Sequence, residues 1–206
     1  MMRQQYMLNL PVDYHNSIEE FFAYFTHAPS LVHTLFRLRG QDPSTREFLQ
    51  GVSQALEKAL HLQSKLNSWH EHWSQISSPP VETPSATDDV LFPIILTYGD
   101  PMDASIYCGY YSYMIIIHET LKTFGHAGPH EAMVVHFRDQ ICKSVAYTSR
   151  GPLGPFRIGF PLRVAIEVAD PLTRSWLLTR LQEFSKTFAA AKPEFLPQLH
   201  DRSDHL

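Results

Sequence analysis

The sequence predicts an all-α, single-domain orthogonal bundle built around one central apolar helix, and three observations carry that expectation. From Glu47 onward, Leu49, Val52, Leu56, Ala59, Leu60, Leu66, Trp69, Trp73 and Ile76 recur at three- and four-residue steps, the period of a helix with one apolar face. From Ile106 to Leu121 the chain is apolar on nearly every face, so other helices must wrap it. Asp-Pro pairs at Asp42-Pro43, Asp100-Pro101 and Asp170-Pro171 read as helix starts. Asp can cap, and Pro suits the first turn because its missing N–H costs nothing there.

Taken in order, Ser17 with Glu20 fits a capping box ahead of Ile18, Phe21, Phe22 and Phe25. Ala28-Pro29-Ser30 breaks that helix, and Leu31 to Leu38 gives a second one ended by Gly40. Asp42-Pro43 opens a third helix of roughly thirty residues, more than twice the usual length. Residues 77–90, with three prolines and Val81 as the one sizeable apolar residue before Val90, read as a flexible internal loop. Asp100-Pro101 then starts the central helix, which stops at Gly125.

Gly128-Pro129 begins the next helix, with Met133, Val134, Phe137, Ile141, Val145 and Tyr147 on its faces. Gly151 to Pro155 reads as a rigid loop, and Phe160 to Ala169 as a short apolar helix. Asp170-Pro171 opens the last helix, through Trp176, Leu177, Leu181, Phe184 and Phe188. Residues 193–206 are expected to fray. No period of 20 to 50 residues repeats, which excludes a regular solenoid.

Composition removes several function classes. The 206 residues are 44% apolar and 12% aromatic, enough for one sizeable core. The net charge is −4, and the 17 Lys and Arg are scattered without a basic patch, so direct nucleic-acid binding is not expected. The two cysteines, Cys108 and Cys142, fall in apolar helices without CxxC spacing, as expected of small core fillers in a reducing compartment. Residues 1–11 lack the apolar core of a signal peptide, and the run Tyr113 to Ile117 is far short of the ~20 residues a membrane span needs. The expected location is intracellular, nuclear or cytoplasmic.

Six landmarks recur in a recognisable order. Phe25-Thr26-His27-Ala28-Pro29-Ser30-Leu31-Val32 precedes Arg37-Leu38-Arg39, and Ala55 to Leu66 leads into Trp69 and Trp73. Leu91-Phe92-Pro93 and the aromatic helix Ile106 to Leu121 follow, then Gln140 to Tyr147. Gly159 to Ala165 and Trp176-Leu177 close the series. Over residues 20 to 190 this order resembles the C-terminal half of the fungus-specific regulatory domain of binuclear-zinc-cluster transcription factors. The resemblance implies a helical, effector-sensing module of the kind that controls metabolic and secondary-metabolite genes. The family's DNA-binding part holds two zinc ions with six closely spaced cysteines, and this sequence has two cysteines in all. Read as a whole chain, it would then act as a partner or decoy of a full-length regulator, or in another role altogether.

Candidate chemistry rests on histidine and tyrosine. His70 and His72 point about 200° apart on a helix and cannot share one ion. His126 and His130 have i, i+4 spacing, but Gly128-Pro129 between them implies a turn, so neither a metal nor a cofactor is expected. Tyr107, Tyr110, Tyr111 and Tyr113, with Met114, combine large apolar area with polar tips, which suits an apolar ligand bearing a few oxygens. The plain alternative makes the tyrosines core aromatics and His118 a cap at the wet end of its helix.

Two functions follow. The first is a transcription-regulator-like module without its own DNA-binding element, responsive to a small apolar metabolite, a protein partner or a second copy of itself. The second is a cyclase- or isomerase-like enzyme folding a polyketide- or terpene-like substrate, with His118 and His136 as acid and base. A scaffold that pairs through exposed tryptophans is the blandest expectation.

Overall fold

The computed structural model describes residues 12–86, 89–151 and 153–186. Its helices are α1 (Val12–Phe25), α2 (Ala28–Arg39), α3 (Arg46–Ile76), α4 (Pro101–Thr123), α5 (His130–Thr148), α6 (Gly154–Glu167) and α7 (Pro171–Ser185). Between α3 and α4 lie two short strands, β1 (Val81–Pro84) and β2 (Ile94–Thr97). The fold is all-α apart from this antiparallel ribbon, which pairs Val81 with Thr97 and Pro84 with Ile94. Residues 1–11, Phe188 and the tail 193–206 lie outside the described residues.

Helix α4 is the centre. Asp100 caps it, accepting a 2.6 Å hydrogen bond from the Met102 amide, and Pro101 fills the first turn. Ile106 to Ile117 is buried without interruption, because α2, α3, α5 and α6 all pack on it. α1 reaches it through the Tyr14 hydroxyl, which donates to the buried Asp103 carboxylate at 2.6 Å. At the far end Gly125 takes φ +73°, a conformation that favours glycine, and turns the chain toward α5.

Helix α3 buries a stripe of Gly51, Ala55, Ala59, Leu62, Leu66, Trp69 and Trp73. Residue size grows along it, so α3 sits close to α2 at one end and leaves room for aromatic rings at the other. A side chain at Gly51 would meet Leu38 Cδ2 at 2.7 Å. This stripe differs from the periodicity expected at its start: Leu49 and Leu60 are exposed. A scan for large apolar residues misses a contact that demands small ones. The two tryptophans stack at 5.6 Å inside the core, and Trp69 Nε1 donates to the Ser17 carbonyl at 2.8 Å. Trp69 and Trp73 are therefore not exposed pairing surfaces.

Several expected boundaries move. Ser17 lies buried inside α1 and caps nothing, since the helix already runs from Val12. Asp42 organises a turn, accepting from the Ser44 amide and hydroxyl, while Thr45 caps α3 by accepting from Phe48 N at 3.2 Å. Helix α6 starts at Gly154, well before Phe160, with Pro155 in its first turn and Pro161 inside it. The segment 77–90 contributes β1, and Asp89 ties it down by accepting from Leu91 N, Phe92 N, Trp176 Nε1 and Arg180 Nη2. None of those partners can be read from the local composition of the segment.

Candidate functional site

A cleft of about 330 Å³ opens between the last turns of α3, the first half of α4 and the middle of α5. Each helix presents residues one turn apart: His70 and Ser74 from α3, Tyr107 and Tyr111 from α4, His136 and Gln140 from α5. Tyr110 and Phe137 complete the aromatic lining, and Pro79-Pro80 close one side. The helical repeat is the reason for the convergence, since i and i+4 side chains share a face.

The rings lock one another. His70 stacks on Tyr110 at 4.3 Å with 13° between planes. Tyr110 meets Phe137 edge-on at 5.9 Å, and Tyr111 stacks on Phe137 at 6.1 Å. The Tyr107 hydroxyl lies 3.2 Å from Ser77 Oγ, and Tyr107 also contacts Trp73, their centroids 6.4 Å apart.

No carboxylate, lysine or arginine is among the lining residues. Burial raises the Tyr110 and Tyr111 phenols, so both stay protonated donors. Burial also lowers His70, against an opposing pull from Glu71, which keeps its imidazole neutral at pH 7. The cleft is thus walled by aromatic rings and supplied with both donors and acceptors.

Of the residues singled out from the sequence, Tyr107, Tyr110, Tyr111 and His136 converge here. Tyr113 and Met114 do not line the cleft: Tyr113 packs against Phe25 at 5.9 Å, and Met114 is fully buried. His118 does not line it either, although both His118 and His136 touch Phe137, at 5.9 and 5.2 Å. His118 is buried, 3% exposed, and does not cap a wet helix end. His70, on the adjacent helix, is the lining residue that sequence reasoning passed over, because it was weighed only as a metal ligand.

His118 belongs to a second cluster. Its Nδ1 lies 3.0 Å from His130 Nδ1, and its Nε2 lies 3.4 Å from Gln63 Nε2. His130 Nε2 in turn lies 3.0 Å from His126 Nδ1. The turn at Gly128-Pro129 exists as expected, yet it brings His126 and His130 together. Because His130 turns a different nitrogen to each neighbour, the three rings do not converge on one point. Among the described residues no group of three or more His, Cys, Asp or Glu side chains could hold a metal ion.

Both thiols are buried. Burial pushes Cys108 up to about 11, against hydrogen bonding to Ser144, Thr148 and Tyr98, and raises Cys142 as well. Neither is a thiolate nucleophile. Among the described residues no helix is long and apolar enough to cross a membrane. In comparisons with protein-family models, curated proteins and solved structures, nothing matches this chain.

Proposed function

We propose that the protein is a regulator-like helical module whose cleft binds a small, uncharged, flat aromatic metabolite. The observation that carries this reading is the cleft's lining: three tyrosines, two imidazoles, Phe137 and Gln140 around about 330 Å³, with no charged side chain. At interior packing density that volume takes roughly a dozen to fifteen non-hydrogen atoms, the size of a two- or three-ring compound. Stacking surfaces favour a planar ring, and the hydroxyls and imidazoles favour keto or hydroxyl oxygens on its edge.

The order of landmarks resembling the regulatory domain of fungal zinc-cluster factors supports a sensing role in a metabolite pathway. A nuclear or cytoplasmic location would go with it. Any DNA contact in that role would come from a protein partner or a longer regulator. Titration with a panel of hydroxylated two- and three-ring aromatics, followed by tryptophan fluorescence, tests the reading, because Trp73 touches Tyr107 in the cleft wall. Saturable binding weakened by Tyr111→Phe or His136→Ala is expected. Absence of binding across the panel would sink the idea.

A second reading is an isomerase- or cyclase-like enzyme. It is favoured by one observation: His70 and His136 line the same cleft, so an imidazole reaches it from each of two helices for proton transfer. Incubation with a bound aromatic ketone in deuterated water separates the two readings. Deuterium exchange into the ligand that His136→Ala abolishes would indicate the enzyme, and binding without exchange would indicate the sensor.

A further inference from the structure

Gln63, His118, His130 and His126 form a line of polar atoms that the cleft does not use. It joins α3, α4, the first residue of α5 and the 124–129 turn. We propose that this line is an acid-sensitive latch: it holds one extra proton intact, and a second opens the turn and the start of α5 away from α3 and α4.

The argument is a proton count. A neutral imidazole carries one N–H and one bare nitrogen, and an amide nitrogen only donates. Gln63 Nε2 therefore donates to His118 Nε2, His118 Nδ1–H to His130 Nδ1, and His130 Nε2–H to His126 Nδ1. The His126 Nε2–H ends the line. Each of the two inner contacts can hold one proton, and each outer ring nitrogen one more, so the line accepts four against the three of neutral rings. The fourth needs only that Gln63 turn its amide and present oxygen. A fifth sets N–H against N–H and must break a contact.

The surroundings fit a device with one soft end. His118 and His130 are 3% and 5% exposed, whereas His126 is only half-buried, so one end of the line lies nearer to solvent. Burial, and then the neighbouring His130, hold His118 down to about 4. Burial and then His126 lower His130, against the Ala127 backbone. Gly128, at φ +155°, leaves space for the His130 ring, since a Cβ there would lie 2.8 Å from Nε2. The charged groups nearby are otherwise engaged. Lys122 on α4 clasps Glu119 of its own helix and Glu131 of α5, and Arg39 of α2 bonds Thr123. α3 contributes the neutral Gln63, and His136 of α5 lies against Phe137.

The test is nitrogen-detected histidine spectroscopy on the full chain from pH 7.5 to 4, with no ligand present, so its outcome is independent of the cleft reading. At neutral pH we expect His118 as the less common Nδ1–H tautomer, with His130 and His126 as Nε2–H. One proton should then be taken up with the Gln63 amide turned and the turn still closed, and a later one should coincide with faster amide exchange over 127–131. His126→Asn keeps an acceptor oxygen near the Nδ1 position but takes no proton. It should leave the turn closed and move the first uptake to lower pH, because only the buried His118 and His130 rings remain to carry charge. His126→Ala should loosen the turn already at neutral pH, with roughly tenfold faster exchange, since the buried His130 ring loses the His126 acceptor and keeps only the Ala127 backbone. An Nε2–H tautomer at His118, three independent titrations near 6.5, or identical behaviour of both variants and the parent would each overturn the latch.

Discussion

The two ends of α4 solve the same problem in opposite ways. At its first half, Tyr107, Tyr110 and Tyr111 meet α3 and α5 without filling the space, leaving a cleft walled by their rings, with the Tyr107 hydroxyl held by Ser77. At its second half, His118 meets the same two helices and its polar atoms are absorbed by Gln63 and His130. The growing residue size along α3 contributes to the difference. Large rings at Trp69 and Trp73 hold the helices apart where the tyrosines stand, and Ala59 and Leu62 let them close where His118 lies. A buried polar group must find a partner, so the closed end makes its own and the open end is available to a ligand.

Removing the spacer should collapse this contrast. Trp73→Ala, which deletes a fully buried ring stacked on Trp69 and tilted against Tyr14, should cost about 4 kcal/mol in denaturant unfolding. Its remaining folded population should also lose aromatic binding. A loss under about 1 kcal/mol would show that the ring is not what props the cleft.

Acid should act on the closed end first. His118 is held to about 4 in the folded chain against 6.5 ordinarily, so the unfolded chain takes up its proton at higher pH. The stabilisation is complete above about pH 6.5 and falls away as pH drops toward 4, by about 3 kcal/mol in all. Unfolding midpoints across that window measure it, and His118→Gln should flatten the slope. A slope unchanged in that variant would place the acid sensitivity elsewhere.

The clasp on the β ribbon sits apart from both ends and serves as a control. Asp89→Ala leaves Trp176 Nε1, Arg180 and two amides without their acceptor, and should cost about 2 kcal/mol. Burial pushes the Asp89 carboxyl up, but those four bonds outweigh it and hold it below the usual 3.8. Its contribution is present above that value and is lost only at still lower pH, so near-neutral titration should leave it untouched. The smallest effect is expected at the exposed His136. His136→Ala should change stability by less than about 0.5 kcal/mol while weakening aromatic binding by roughly five- to tenfold, about 1 kcal/mol.

Much of this was legible in the residues because the rules involved are local. Asp100-Pro101 and Asp170-Pro171 mark helix starts through their own side chains, and the apolar faces of Ile106 to Leu121 announce a wrapped helix. Tyr107, Tyr110, Tyr111 and His136 also proved to share a cleft. Where the reading failed, the deciding partner was distant in sequence. Gly51, Ala55 and Ala59 form the buried stripe because Leu38 comes close, and Asp89 orders the prolyl segment because Trp176 and Arg180 reach it. Tyr113 leaves the ligand group because Phe25 of α1 faces it instead, and Met114 because it is enclosed in the core.

Sequence alone therefore settled the helical class and the position of the central helix, since periodicity, caps and side-chain polarity belong to neighbouring residues. Which polar atoms meet one another was decided only by tertiary structure. The bonds between His118, His130 and Gln63, and the free volume before Tyr111, depend on how closely α3 and α5 approach α4, and that spacing is set by packing across the whole bundle.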